Sequence, residues 1–147
     1  MSTQKHFIDF VNKIGYDVKP HQLEGYKWCH EKEQTGGGML CDDMGLGKTL
    51  MMLSQVVLNR KKRTLIVLPP ILVDQWVNKC KKLLKHVPLV YHGINVKHYE
   101  MEDILKRPLV ITTYGMIGKR TGSFDRLHWQ SPLWNIKWDR VIYDEAH

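Results

Sequence analysis

Cysteine is scarce in this chain. Cys29, Cys41 and Cys80 are odd in number and show no CxxC spacing. That count argues against both a disulfide framework and a zinc site, and it fits a reducing, intracellular compartment. Long apolar runs are missing as well. The most apolar stretch, Thr64 to Val73, is ten residues with two prolines inside. A membrane-spanning helix takes about 20 residues, so no membrane role is expected. The opening MSTQKHFIDF lacks a signal-peptide layout. There is no internal repeat and no low-complexity tract. Acids are the minority, 15 Asp and Glu against 22 Lys and Arg, for a net charge of +7. That balance favours an anionic partner, nucleic acid being the commonest, with solvated surface lysines as the plainer account.

What is present suits one globular domain with a real core. The 147 residues are too few for two domains. Hydrophobic content of 43% and charged content of 25% are ordinary for a soluble fold.

The chain is organised around Cys41 to Thr49, read CDDMGLGKT. Apolar Met39 and Leu40 lead in, and an apolar helical pattern follows at once. That is the layout of a phosphate-binding loop between a strand and a helix. Glycines let backbone N–H groups close around phosphate oxygens, and the helix offers its positive N-terminal end. Asp42, Asp43, Met44, Gly45, Leu46, Gly47, Lys48 and Thr49 are the candidate nucleotide-binding residues. Lys48 would reach the β/γ-phosphates and the Thr49 hydroxyl would ligate Mg²⁺. Position 42, where the P-loop pattern has its first Gly, is Asp, so a Gly-rich turn capping an ordinary helix is the plainer alternative. A second stretch, Val141 to His147, strengthens the first. An apolar run ending in Asp144-Glu145 is how a buried parallel strand delivers two carboxylates to a nucleotide. The two motifs stand 95 positions apart, room for several βα units between them.

Along the rest of the chain, residues 3–14 read as an accessory amphipathic helix with Phe7, Phe10, Val11 and Ile14 on one face, ended by Gly15. A second helix starts at Pro20, with Leu23, Trp28 and Cys29 inward. Gln22 on it can present a donor and an acceptor to an adenine edge, or can simply face solvent. The helix after the loop, Lys48 to about Asn59, places Leu50, Leu53, Val56 and Val57 on an apolar face. Four cations, Arg60 to Arg63, close it, which the helix dipole is enough to explain. Leu65 to Leu68 is a buried parallel strand stopped by Pro69-Pro70. A helix over about Ile71 to His86 follows. Residues 60–85 hold eight Lys and Arg against one acid, Asp74. Leu89 to Tyr91 is a strand, Tyr99 to Arg107 a short helix, and Leu109 to Thr113 a strand. Gly118 to Trp138 is a loop-rich insert whose Trp129, Trp134 and Trp138 cover the sheet edge. A strand over Arg140 to Asp144 completes the series. The fold class is α/β, an open and mostly parallel sheet with helices on both faces.

With these pieces placed, the chain resembles the first RecA-like lobe of the Swi/Snf-type ATPases. These are superfamily-two, helicase-related P-loop motors that translocate on double-stranded DNA. The resemblance runs from about Lys19 to His147. Pro20-His21-Gln22-Leu23-Glu24-Gly25 with Trp28 resembles the family's glutamine motif, which implies Gln22 as adenine reader. CDDMGLGKT resembles its phosphate loop, with Cys41 for the usual Ala and Asp43 for the usual Glu. Leu68-Pro69-Pro70 through Gln75-Trp76 resembles motif Ia, and Ile111-Thr112-Thr113-Tyr114 the next DNA-strand motif. Asp144-Glu145-Ala146-His147 is a DEAH box. The DEAH-box RNA helicases share those four letters but have Gly-x-Thr-Gly-Ser-Gly-Lys-Thr as their phosphate loop, so they rank second.

The resemblance implies ATP and Mg²⁺ as cofactors and duplex DNA, held by its backbone, as partner. Catalysis would fall to Lys48, Asp144 and Glu145. Asp144 would hold Mg²⁺ together with Thr49, and Glu145 would be general base toward water. His147 would couple the nucleotide site to later motifs. Pro69, Gln75, Trp76, Thr112 and Thr113 would touch DNA. Residues 1–15 are then an accessory helix and residues 16–147 a partial helicase ATP-binding domain, incomplete at its C-terminus, with a second lobe and its arginine finger absent. Such a chain is expected to bind ATP weakly, to hydrolyse it hardly at all, and to be marginally stable because a sheet edge is left unpaired. A nucleotide-binding stub with no catalysis is the other reading. A nuclear or other DNA-containing compartment would follow.

Overall fold

The computed structural model describes residues 3–37, 45–117 and 131–144. The expected strand at Met39 to Asp42, Cys41, most of the insert with Trp129, and Glu145 to His147 lie outside the described residues. The backbone divides into two compact units, Met1–Arg60 and Lys61–His147.

The first unit is three helices. α1 (Thr3–Lys13) buries Phe7 and Val11, one turn apart, and leaves Phe10 and Ile14 half-buried. Gly15 stops it at φ +90°, a conformation that costs glycine little, and the Tyr16 N–H turns back to the Val11 carbonyl. α2 (Pro20–Gln34) starts on its proline as expected. Its inward stripe, however, is Gln22, Tyr26 and Cys29, while Leu23 and Trp28 are only half-buried. Tyr26 sets that phase, because its ring stacks on Phe7 of α1 with centroids 4.4 Å apart and planes 7° off parallel. α3 (Gly45–Leu58) begins three residues before Lys48. It buries Leu50, Met51, Leu53, Ser54 and Gln55, while Val56 and Val57 are half-exposed. Its buried Ser54 hydroxyl and Gln55 amide nitrogen are bonded within the unit. Ser54 Oγ donates to the Leu50 carbonyl at 2.7 Å. Gln55 Nε2 and Asn59 Nδ2 both donate to Glu33 Oε2 of α2, at 2.7 and 2.9 Å.

Gly25 lets α2 and α3 approach closely. A Cβ there would overlap Met51 Sδ and press on its Cε at 3.2 Å, and Met51 is fully buried. Overpacking of this kind costs about 1–3 kcal/mol, against about 1 kcal/mol gained in helix propensity. Gly25→Ala is therefore expected to lower stability by about 1 kcal/mol, read as a lower urea midpoint with an unchanged slope.

The second unit is a four-stranded sheet in the order β2-β3-β1-β4, with every pairing parallel. Its strands are β1 (Thr64–Leu68), β2 (Leu89–Tyr91), β3 (Leu109–Thr113) and β4 (Arg140–Tyr143). β1 and β3 are buried at every residue, as their continuous apolar runs require. One face is covered by Ile104 of α5 (Met101–Leu105) and by Leu133 and Ile136, all in one cluster with Leu65, Val67, Leu89, Tyr91 and Val110. The half-buried Trp138 packs on this cluster, and its Nε1 donates to the Leu133 carbonyl at 2.9 Å. Trp134, 55% exposed, does not provide cover of that kind. The cover stops short of β4, where Val141 and Tyr143 are exposed.

The expected helix at 71–86 is broken into pieces. A 3₁₀ turn (Pro70–Leu72) leads into α4 (Val73–Lys79), then a π-helical stretch (Cys80–Leu84), ended by Lys85 at φ 55°. α4 lies against β3 with Val73 and Trp76 buried. Fold class is as the sequence indicates: an α/β, RecA-like parallel sheet with its helices. Among the described residues no helix is long and apolar enough to cross a membrane.

Candidate nucleotide and DNA-facing site

In the first unit, Gly45 to Thr49 form the opening turn of α3, so the positive end of the helix dipole lies at Lys48. Lys48 is half-buried and Thr49 is buried. Asp42, Asp43 and Met44 lie outside the described residues. Gln22 is 8% exposed, not solvent-facing. Its Oε1 accepts the Lys19 N–H at 3.0 Å, closing the start of α2. An amide oxygen has a second lone pair, so this bond leaves the amide able to engage a ligand.

In the second unit the chemistry gathers at the C-terminal edge of the sheet, where parallel α/β sheets place their ligands. β1 and β4 run in register with Val67 opposite Tyr143. The residue after β4 is Asp144, whose N–H continues the ladder to the Val67 carbonyl at 3.1 Å. Two further bonds fix it. Trp76 Nε1 donates to Asp144 Oδ2 at 3.2 Å, and the Tyr114 hydroxyl donates to the Asp144 carbonyl at 2.8 Å. Tyr114, at the start of α6 (Tyr114–Ile117), also stacks on Tyr143 with centroids 6.1 Å apart. Asp144 is half-buried and held by the segments that follow β1 and β3.

The residues expected to touch DNA divide into two groups. Gln75 is exposed and Pro69 half-exposed. Trp76, Thr112 and Thr113 are 2%, 0% and 1% exposed, so their side chains offer no surface to a DNA backbone. They are spent inside the fold. Thr112 Oγ1 donates to the Tyr91 carbonyl at 2.8 Å, and Thr113 Oγ1 lies 3.3 Å from His92 Nδ1. Sequence reasoning placed Tyr114 in a DNA-strand motif but missed its tie, and that of Trp76, to Asp144. One signal was available: a buried indole N–H has to find an acceptor.

Both described cysteines, Cys29 and Cys80, are buried. Burial pushes the Cys80 thiol up to about 12, and burial together with nearby Glu33 pushes Cys29 up to about 11. Taken unit by unit, the first offers a cation and a hydroxyl at a helix N-terminus, chemistry that suits phosphates, and the second offers a carboxylate at a sheet edge, chemistry that suits a hard cation.

Comparison with known proteins gives the family. The model of the SNF2-related domain matches residues 21–147. An ATP-dependent helicase of Schizosaccharomyces pombe is 36% identical over 86% of this chain and 14% of its own length. The protein CHROMATIN REMODELING 24 of Arabidopsis thaliana is 33% identical over 92% of this chain and 14% of its own length. Among solved structures, the Sulfolobus solfataricus SWI2/SNF2 ATPase core in complex with double-stranded DNA aligns with a TM-score of 0.65 and 26% identity, over 88% of this chain and 26% of that one. The chain thus spans a small part of its relatives' length, and these matches favour the Swi/Snf reading over the RNA-helicase one. A match along residues 21–147, with the sheet topology to support it, places the chain in the SNF2-related domain family.

Proposed function

We propose that this chain is the ATP-binding part of a DNA-stimulated ATPase that moves along duplex DNA in a DNA-containing compartment such as the nucleus. The observation that carries the reading is Asp144, presented at the C-terminal edge of a parallel sheet with its carboxylate and its backbone both tied down. Lys48 and the first turn of α3 would hold the phosphates, with Asp42, Asp43 and Met44 completing the loop. Thr49 and Asp144 would hold Mg²⁺, which when bound offsets the phosphate charge. Glu145 would accept a proton from the attacking water. Gln22 would address adenine, and His147 would link the nucleotide to motifs further on. Duplex DNA would meet Pro69, Gln75 and the nearby lysines by their contact with phosphates, without reading sequence. Efficient turnover would need an arginine from a second lobe, a contribution of ~10³–10⁵ in rate.

The test is calorimetric titration of the chain with Mg²⁺ and ATP, wild type against Lys48→Ala. Saturable binding that weakens by about 100-fold or vanishes in Lys48→Ala is expected, since one charge-assisted contact to phosphate is worth about 1.5–3 kcal/mol. Equal binding by the two proteins, or none by a folded wild type, would overturn the proposal.

A further inference from the structure

We propose that Trp76 and Tyr114 are positioning residues for Asp144, and that through them the DNA-facing segments after β1 and β3 set the geometry of the metal-binding carboxylate. The inference rests on the reading of Asp144 as a Mg²⁺ ligand.

Trp76 is buried in the sheet-facing side of α4, and its single donor is aimed at Asp144 Oδ2, 68 positions away in the chain. An indole N–H can only donate, so it takes up one carboxylate oxygen and limits rotation of the side chain. Tyr114 fixes the same residue from the other side, through the backbone: its hydroxyl holds the Asp144 carbonyl and its ring lies on Tyr143, the last residue of β4. With the ladder bond to Val67, Asp144 is thus held at its N–H, its C=O and its carboxylate.

The two donors belong to the segments assigned to DNA. Trp76 is next to exposed Gln75 and on the segment that opens at Pro69. Tyr114 directly follows Thr112 and Thr113, which anchor their strand end to Tyr91 and His92. The burial that removes Trp76, Thr112 and Thr113 from direct DNA contact therefore gives them a different task. A shift of either segment on meeting DNA is carried to Asp144 by one hydrogen bond, with no intervening residue. That supplies a physical route by which DNA tunes metal binding.

The experiment uses the chain with tryptophan labelled by ¹⁵N, together with Trp76→Phe, Tyr114→Phe and Asp144→Asn. The Trp76 indole resonance, identified by its loss in Trp76→Phe, is expected to move in Asp144→Asn. It is also expected to move further with Mg²⁺ and ADP than with ADP alone. By calorimetry, Trp76→Phe should raise the Mg²⁺ concentration that half-maximally strengthens nucleotide binding by about tenfold, the usual scale for losing an outer-shell partner. Its affinity for nucleotide without Mg²⁺ should stay within about twofold, which a merely structural defect would not spare. Tyr114→Phe should act in the same direction and more weakly. An unchanged Mg²⁺ midpoint in Trp76→Phe overturns the inference, as does an indole resonance that ignores Asp144→Asn. Should Trp76→Phe fail to fold, the Trp76 indole resonance is identified instead by sequential assignment of the wild type, and its response to Asp144→Asn decides the matter. Should the wild type itself show no Mg²⁺-dependent nucleotide binding, the proposed function fails first and this inference with it, a result distinct from a defect confined to the variants.

Discussion

Glu145→Gln, placed in a protein carrying both lobes, is expected to lower DNA-stimulated ATP turnover by about 10²–10⁴-fold, the range for loss of a general base. Binding of Mg²⁺ and ATP should stay within about twofold, because the change is confined to the chemical step. The amide keeps the size of the side chain and can still hydrogen-bond water, but it cannot take the proton. The neighbouring carboxylate, Asp144, remains fixed by Trp76 and Tyr114, so the proposed metal ligand is undisturbed. Asp144→Asn should behave differently, with a loss of Mg²⁺-dependent binding preceding any loss of rate. Phosphate release with and without duplex DNA, alongside calorimetry, separates the two. Turnover by Glu145→Gln close to wild type would remove Glu145 from the proton transfer.

Ile104→Ala should cost about 2–5 kcal/mol, the range for emptying a buried isoleucine site. Ile104 is fully buried and is the anchor of a helix only five residues long, Met101–Leu105. So short a helix has little stability of its own. Asp103 secures its start by accepting the Glu100 N–H at 2.9 Å, but that holds only the helix's geometry. What holds it to the sheet is Ile104 among Leu65, Val67, Leu89, Tyr91 and Val110. Truncation leaves a cavity over three strands that cannot easily close, because β1 and β3 are buried at every position. Domains are stable by only about 5–15 kcal/mol in total, so the variant should be partly unfolded at room temperature or unfold at a much lower urea concentration. A urea midpoint close to wild type would show that α5 does not anchor this face.

The order of elements was legible in the sequence because each rests on a local signal. Continuous apolar runs at Leu65–Leu68 and Leu109–Thr113 can be buried on both faces only in a parallel sheet, and that is where they lie. Pro20 and Gly15 mark a helix start and a helix stop through their own backbone preferences. The family was legible for the same reason, since the motifs that carry the resemblance are contiguous residues whose pattern does not depend on what lies far away.

Packing decided the rest. The sequence cannot say which side of α2 faces inward when Tyr26 has a stacking partner on α1, so Gln22 is buried and Trp28 is not. It cannot say that Ser54 and Gln55 are buried, because one finds its acceptor a turn back on the same helix and the other on Glu33 of a different helix. Above all, it cannot tell a tryptophan or a threonine that meets DNA from one that is consumed within the fold. Trp76, Tyr114 and Asp144 come together only through the register that sets Val67 against Tyr143 and Leu68 against Thr113. Register is a property of strands paired across tens of residues, and nothing local in the chain encodes it.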